Sequence, residues 1–258
     1  MLKGKKLFLI IAAMLVVSGL VFVFVGFGII GFRPQNLNTV KNKTETVLIE
    51  EDFSSIKVNA AAEDIVFKPT TDEKASVAVN TKENNDVSVA VVDNELRIDV
   101  TEGKWNFGIN FTDAEYNIIV LLPKKAFNSI EVNSTSGDVD ILTNVSAADV
   151  NIKTTSGEIS FCGNAVNLTA DSTSGEISVQ NTQLQNNMII TDTSGDVELE
   201  NCDASYIEIT TTSGDVSGEL LSEKKFEIKT TSGEVEIPHT KANAVCKVTT
   251  TSGDIEFE

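Results

Sequence analysis

The sequence predicts an all-β domain folded as a single-stranded parallel β-helix, or β-solenoid, with about 19–20 residues per coil. The first observation is a tetrapeptide of Thr, Ser, Gly and an acid, which returns seven times in the second half of the chain. A constant turn at a fixed period of this length is typical of a solenoid. The glycines of these structural turns are Gly137, Gly157, Gly175, Gly195, Gly214, Gly233 and Gly253.

The second observation is a set of apolar columns at fixed distances from each glycine. The residues seven and five positions before it, and two positions after it, are apolar in every repeat. This alternation is the period of a β-strand with one buried face. Each coil is therefore expected to hold two short strands. A fourth column, four positions after the glycine, is broken only at Gly218. We expect each repeat glycine to supply the positive φ of a tight corner.

An uncharged run of 26 residues, from Leu7 to Phe32, follows three lysines and is long enough to cross a bilayer as a helix. We interpret it as an uncleaved signal anchor, with a cleaved secretory signal as the alternative. Basic residues before a span stay in the cytoplasm. This predicts a single-pass protein of the cell membrane, with residues 1–6 cytoplasmic, 7–32 in the membrane and the C-terminal domain extracytoplasmic.

The rest of the chain divides into a linker and one domain. Residues 33–46 are polar, show little periodicity and are interpreted as a linker. Residues 47–258 form the predicted β-helix, in which 128–258 are regular repeats. Residues 47–127 are interpreted as degenerate coils that cap the solenoid, with Ala61-Ala62-Glu63-Asp64 in place of the turn.

The charge of the exported part is strongly negative. All 38 acidic residues follow Phe32 together with 17 of the 20 basic ones, which leaves a net charge of −21. Such a surface repels nucleic acid and anionic lipid and attracts cations or basic partners. Plain solubility is the alternative explanation of the same charge.

The candidate binding site is a ladder of acidic residues, one directly after each repeat glycine. Stacked coils would bring these carboxylates to about 4.8 Å from one another, where like charges destabilise a sheet. A shared calcium ion would relieve this repulsion. Hydrogen bonds from turn amides and hydroxyls would do so as well, and we favour them. The ladder consists of Asp138, Glu158, Glu176, Asp196, Asp215, Glu234 and Asp254.

A second candidate is an aromatic cluster in the predicted cap. Aromatic residues near glycines can form an exposed platform for a sugar ring or a protein, or a hairpin that plugs the end of the solenoid. Both interpretations stay open, and the cluster consists of Trp105, Phe107, Phe111 and Tyr116. The three cysteines share no column and form no CxxC pair, so we predict neither a disulfide framework nor a zinc site.

The stretch from Tyr116 to Ile141 resembles a known family. A strand ends in Leu122-Pro123, and Ile-x-Val precedes Ser-Thr-Ser-Gly-Asp. This pattern, with the recurring turns, is similar to the bacterial "putative adhesins", a β-strand-repeat domain of unknown function. The resemblance covers about residues 47–258. It implies an envelope protein with one N-terminal span and a role in adhesion, and it implies no catalytic residues.

These observations predict a non-catalytic, membrane-anchored envelope protein that binds or scaffolds a glycan or protein at the cell surface. One alternative is an envelope-stress regulatory or assembly module, which would self-associate through an open C-terminal coil. Another is a polysaccharide-active enzyme on a β-helix. Catalysis is disfavoured because residues 128–258 carry 22 acids and six bases, with no break in the repeat that would form a cleft.

Overall fold

The computed structural model describes residues 42–103, 116–240 and 242–258, and this part of the chain consists of twenty-one β-strands without a helix. The all-β prediction is confirmed. The strands are β1 (Asn42–Ile49), β2 (Ser55–Asn59), β3 (Asp64–Thr70), β4 (Ala75–Lys82), β5 (Asp86–Val92), β6 (Glu95–Thr101), β7 (Asn117–Pro123), β8 (Ala126–Asn133), β9 (Val139–Ile141), β10 (Ser146–Lys153), β11 (Ile159–Phe161), β12 (Asn164–Asp171), β13 (Ile177–Gln180), β14 (Asn187–Thr191), β15 (Val197–Cys202), β16 (Tyr206–Thr210), β17 (Val216–Leu220), β18 (Lys225–Lys229), β19 (Val235–Glu236), β20 (Val245–Thr249) and β21 (Ile255–Phe257).

The strands form two long sheets that share one hydrophobic core. Sheet A has eleven strands in the order β1-β4-β7-β3-β9-β11-β13-β15-β17-β21-β19. Sheet B has ten strands in the order β18-β20-β16-β14-β12-β10-β8-β2-β6-β5. Each regular repeat gives one strand to sheet B, makes its turn at the glycine and then gives one strand to sheet A.

The apolar columns predicted from the sequence face the core. Val150 of β10 lies between Ile130 and Leu168 of the neighbouring coils, in a parallel and in-register ladder, and all three side chains are buried. A strand whose alternate residues are apolar buries one face and leaves the other in water, which is how these coils are built.

The N-terminal part of the domain is not purely parallel. Strand β4 pairs antiparallel with β1 and with β7, and β5 pairs antiparallel with β6. The prediction of an entirely parallel solenoid is wrong for these strands. Strands β5 and β6 are joined by a direct hairpin, which pairs strands only in the antiparallel sense. Strand β1 begins at Asn42, within the segment interpreted as a linker.

The coils at the C-terminal side do not stack in the order of the sequence. Strand β20 lies between β16 and β18, and β21 lies between β17 and β19. The coil β20–β21 is therefore inside the stack, and the coil β18–β19 lies at its end. The expectation of an open C-terminal coil is wrong, since both sides of that coil are paired.

The same exchange occurs at the other end of the stack. Strand β2 lies between β6 and β8, and β3 lies between β7 and β9. The first coil in the sequence is thus covered by strands that follow it. At this end the strands that follow β2 and β3 form the outer layer of the stack, and they are the N-terminal cap of the domain.

Gly218 shows why the exchanged order suits the sequence. Its stacking partner is Phe257, and a Cβ added at Gly218 would lie 2.7 Å from Cε1 of that ring. The ring of Phe257 also packs against Phe226, with ring centroids 5.0 Å apart. The gap in the fourth apolar column is therefore filled by the aromatic ring of the coil that is inserted next to it.

The repeat glycines are needed for close approach between coils, and not for the positive φ that we expected. Only Gly233 and Gly253 have positive φ, of 141° and 149°. At Gly175, a Cβ would lie 1.9 Å from the carbonyl oxygen of Gly157, and the other repeat glycines face the same obstacle. No side chain fits within that distance of a backbone atom.

No helix in residues 42–103, 116–240 and 242–258 is long and apolar enough to cross a membrane. The predicted span at residues 7–32 lies outside the described residues.

Replacing Gly175 by Ala is expected to lower the free energy of unfolding by at least about 3 kcal/mol, because the clash is with backbone and cannot be relieved by a side-chain rotation. Urea unfolding followed by circular dichroism measures this. The matched control is Gly218→Ala, where the nearest atom belongs to a phenyl ring that can turn away. An equal loss in both variants would contradict close coil stacking as the reason for glycine.

Candidate functional site

Negative charge is concentrated on the outer side of sheet A, between β9 and the end of the stack. In each coil the residues one, three and five positions after the repeat glycine point outward, because the intervening residues fill the core. We call the carboxylates at these positions the acidic face. Its members are Asp138, Asp140, Glu158, Glu176, Asp196, Glu198, Glu200, Asp215, Glu219, Glu234, Glu236, Asp254, Glu256 and Glu258. No Lys or Arg occupies any of these three positions in the seven coils.

The outer side of sheet B is balanced instead. Its glutamates pair with lysines on the same face: Lys57 with Glu131 at 2.6 Å and Lys247 with Glu208 at 2.5 Å. Each pair lowers the pKa of its glutamate, through a direct hydrogen bond from the ammonium group. The two sides of the domain therefore differ in charge, which the net charge of the sequence does not reveal.

Burial and the repulsion between neighbouring carboxylates both act on the acidic face. Partial burial raises the pKa of Glu158, and the neighbouring carboxylates of Glu176 and Asp138 raise it further. Burial likewise raises the pKa of Asp140, with Asp138 as the next cause. Such shifts are expected where like charges are held close together without a cation.

The turn acids are held by hydrogen bonds between coils. The Oδ1 atom of Asp138 accepts the N–H of Glu158 at 2.8 Å, and Oδ1 of Asp215 accepts the N–H of Asp254 at 2.8 Å. Asp196 does the same for the N–H of Asp215 at 2.9 Å. The hydrogen-bonded form of the acidic ladder, which we favoured, is thus present in this part of the chain.

Aspartate and glutamate are not equivalent in this ladder. Every turn aspartate bonds the amide of the next coil, including Asp64 of the degenerate turn, which accepts the N–H of Asp138 at 3.0 Å. Within the described residues, Glu158 and Glu176 form no such bond. The shorter side chain of aspartate places its carboxylate oxygen over the amide of the neighbouring coil.

A second hydrogen bond, inside the first four turns, was missed in the sequence. The hydroxyls of Thr154 and Ser172, three residues before the glycine, accept the glycine N–H at 3.0 and 2.9 Å. The next residue of each repeat, the Thr two positions before the glycine, is exposed to solvent instead. A signal was available, since the position three before the glycine is Ser, Thr or Asp in every repeat.

Asp192 occupies this inner position in one coil. It is 2% exposed; its Oδ2 accepts the N–H of Gly195, whereas Oδ1 is buried without a partner among the described residues. The inner hydroxyls of the next two coils, on Thr211 and Thr250, are also unpartnered there. Burial raises the pKa of Asp192, although amide hydrogen bonds from the turn partly oppose this.

With the repeating turn and both sheet faces described, the comparison with known proteins becomes specific. The model of the Toastrack DUF4097 domain matches residues 53–258. The chain belongs to this family. The family resemblance seen in the sequence is confirmed by this match.

Two solved structures share the Toastrack fold at low sequence identity. One is a putative adhesin from Bacteroides fragilis, with 17% identity, a TM-score of 0.52, and coverage of 84% of this chain and 97% of that one. The other is a putative lipid binding protein from Parabacteroides distasonis, with 18% identity, a TM-score of 0.52 and the same coverages. At this identity the likeness shows the fold alone. No curated protein matches the sequence.

The Toastrack domain also contains a buried ion pair that the sequence did not indicate. Lys224 and Asp203 form it, with side chains 2% and 8% exposed. They line an open cleft of about 610 Å³ with Gln183, Gln185 and Ser222. Lys224 also donates to the hydroxyl of Ser222 at 2.8 Å. The lysine is thus engaged twice, and the pair joins the end coil to the rest of the stack.

The aromatic cluster and the cysteines are the remaining candidates from the sequence. Trp105, Phe107 and Phe111 of the aromatic cluster lie outside the described residues. Tyr116 is described, and the Nζ atom of Lys82 lies 5.7 Å from its ring centroid. The cysteines Cys162, Cys202 and Cys246 are free. Within residues 42–103, 116–240 and 242–258, no group of three or more His, Cys, Asp or Glu is arranged to hold a metal ion.

Replacing Asp215 by Ala removes the acceptor for the N–H of Asp254 and is expected to lower the free energy of unfolding by about 1 kcal/mol. Asp215→Asn keeps an oxygen at that position and should be nearly neutral. Glu176→Ala is the matched control, because it removes a ladder carboxylate without an amide bond.

Thermal melts of the parent protein with chelator and with millimolar calcium should coincide. A rise in Tm with calcium that is lost in Asp215→Asn would show a metal site instead.

Replacing Asp192 by Ser keeps the bond to the Gly195 amide and removes the buried carboxylate. Because folding raises the pKa of Asp192, its ionisation destabilises the fold progressively as pH rises from the unfolded value through the folded one. Asp192→Ser should therefore raise the free energy of unfolding at pH 7 by about 1 kcal/mol, and the gain should vanish below about pH 3. Urea unfolding across this range measures it.

The control for this change is Glu198→Ser, which alters the charge equally at an exposed position of the strand that follows the same turn. It should give no gain at any pH. A gain of the same size in both variants would attribute the effect to net charge and contradict the assignment to Asp192.

Proposed function

We propose that this Toastrack domain is a non-catalytic binding module of the bacterial cell envelope, and that it holds a positively charged macromolecule on its acidic face. The observation that carries the proposal is the segregation of charge. Fourteen outward carboxylates lie on one side of the stack, while lysines and glutamates neutralise one another on the other side. A requirement for solubility alone would not favour one side.

The spacing of the carboxylates favours an extended partner. An exposed ion pair contributes at most about 1 kcal/mol, so a small cation held by one carboxylate binds weakly. Rungs about 4.8 Å apart lie within the Debye length of about 8 Å at physiological ionic strength, so their fields add. A chain with many positive charges, such as a Lys- or Arg-rich protein segment or a glycan with amino groups, can pair with several rungs at once.

Binding need not disturb the turns. The ladder aspartates use Oδ1 for the amide of the neighbouring coil, and their second carboxylate oxygen takes no part in that bond. A carboxylate can accept several hydrogen bonds, so the same group can stabilise the coil and contact a partner. This supports a surface that is rigid before the partner arrives, which lowers the entropic cost of binding.

The described residues of the acidic face contain no acid paired with a base, which favours a non-enzymatic role. Acid–base catalysis needs a titratable pair or a base beside a nucleophile within reach of one bound substrate. The acidic face lacks a basic residue among its described members, and Lys224 is already paired with Asp203. A polysaccharide-active site therefore finds less support than binding.

We also propose that the protein is anchored in the cell membrane and acts in adhesion. The run Leu7 to Phe32 would attach the domain to the cell membrane, which leaves the acidic face available to a surface glycan or to a protein of the envelope. An envelope-stress regulator would use the same face toward a basic segment of a membrane neighbour. The two roles differ in whether the isolated protein binds without that neighbour.

The proposal is tested with an oligolysine peptide of about 20 residues as probe, measured by titration calorimetry at several salt concentrations. The variant Glu198→Gln, Glu200→Gln, Glu219→Gln removes three charges from the acidic face. It should weaken binding by about tenfold or more and reduce the salt dependence, because fewer ion pairs form.

The matched control is Glu51→Gln, Glu73→Gln, Glu83→Gln, which removes three exposed charges from the loops at the N-terminal end of the stack. It should bind the peptide as the parent does. Equal weakening in both triple variants would reduce the effect to net charge, and a parent protein that fails to bind at low salt would refute the proposal.

A further inference from the structure

The coil β18–β19 leaves the stack open on one side. Strand β18 pairs only with β20, and β19 only with β21, among the described residues. Their outer edges carry backbone N–H and C=O groups that no described strand satisfies. Edges of this kind are usually covered, because an unpaired edge is a template for another strand.

The apolar side chains of this coil are more exposed than those in the same columns of the inner coils. Phe226, Ile228 and Ile237 occupy core columns but are only half-buried, and Val235 is 40% exposed. Leu221, just before the coil, is 56% exposed. The apolar columns of the solenoid thus continue to the end of the stack and stop without a neighbour.

We propose that the end coil pairs with the end coil of a second copy, with the two β18 strands antiparallel and centred on Ile228. The charge pattern of the strand selects this occupant. Its outward residues are Lys225, Glu227 and Lys229, in alternation with the apolar Phe226 and Ile228. In the proposed register Glu227 lies opposite the partner's Lys229, and symmetry repeats this pair.

The other registers are less favourable. Centring on Glu227 sets Glu227 opposite the partner's Glu227 and Lys225 opposite the partner's Lys229, and like charges in such positions repel. Centring on Phe226 also sets Glu227 opposite the partner's Lys225, but it places Ile228 opposite the partner's Lys224. In this chain, Lys224 is buried against Asp203 and is not available to cover an apolar residue.

The pairing also completes the core. A two-fold axis that passes through both sheets would bring each end coil over the other, so the half-exposed apolar residues would meet their counterparts as the inner coils do. An isologous contact of this kind closes on itself and stops at two copies. The end coil contributes only Glu234 and Glu236 to the acidic face, so most of the charges of that face lie outside the interface.

Charge reversal tests the register with the full chain in detergent micelles, using sedimentation equilibrium. Glu227→Lys should raise the dissociation constant by about tenfold or more, because the introduced ammonium group would face the partner's Lys229, and this repulsion occurs twice in the dimer. Lys229→Glu should do the same through two pairs of glutamates. The double variant Glu227→Lys, Lys229→Glu should associate as the parent does.

Mixing the two single variants gives a second, independent readout. Each should associate more weakly than the parent when it is alone. Their mixture should form a heterodimer with the affinity of the parent, in which one facing pair joins two introduced charges of opposite sign and the other joins the two native ones. Fluorescence energy transfer between labelled copies detects it. Circular dichroism of each variant confirms that the fold is intact. A monomeric parent, single variants that associate as the parent does, or a mixture that stays monomeric would each overturn the proposal.

Discussion

The structure depends on how closely neighbouring coils approach at their turns. From Gly157 onward, the backbone of each repeat glycine lies against the carbonyl of the glycine in an adjacent coil, with no room for a Cβ between them. This contact fixes the position of the amide that follows. It is why a turn aspartate can reach the N–H of the next coil and why the inner hydroxyl can reach the glycine N–H. The apolar columns then follow in register.

Much of this architecture could be predicted from the sequence. The period, the two strands per coil and the inward columns could all be predicted, because burial of one strand face requires an apolar residue at every second position of the sequence. The family signature could be recognised for the same reason. The role of the position three before the glycine could also have been predicted, because it is always Ser, Thr or Asp. The neighbouring Thr-Ser-Gly is more conspicuous and hides this restriction.

The order of the coils could not be predicted in this way. Repeats of nearly equal length can stack in sequence order or with two neighbours exchanged, since each offers the same columns to its neighbour. Only a position that departs from the repeat can distinguish the two orders, and Gly218 is such a position. Its missing side chain matches the ring of Phe257, while sequence-order stacking would set it beside Ile237. The charge difference between the two sheets was hidden for a related reason, because it depends on which lysines and glutamates meet across strands.

The exchange of coils has a consequence for how the stack comes apart. In a solenoid stacked in sequence order, an outermost coil can peel away as a free tail, and the released segment gains the full conformational entropy of an unattached chain. Here the outermost coil at one end is β18–β19, which is joined on both sides to strands that stay in the stack. When it detaches it remains a closed loop, and a closed loop gains less entropy than a tail of the same length. Fraying from that end is therefore resisted by the path of the chain as well as by its contacts.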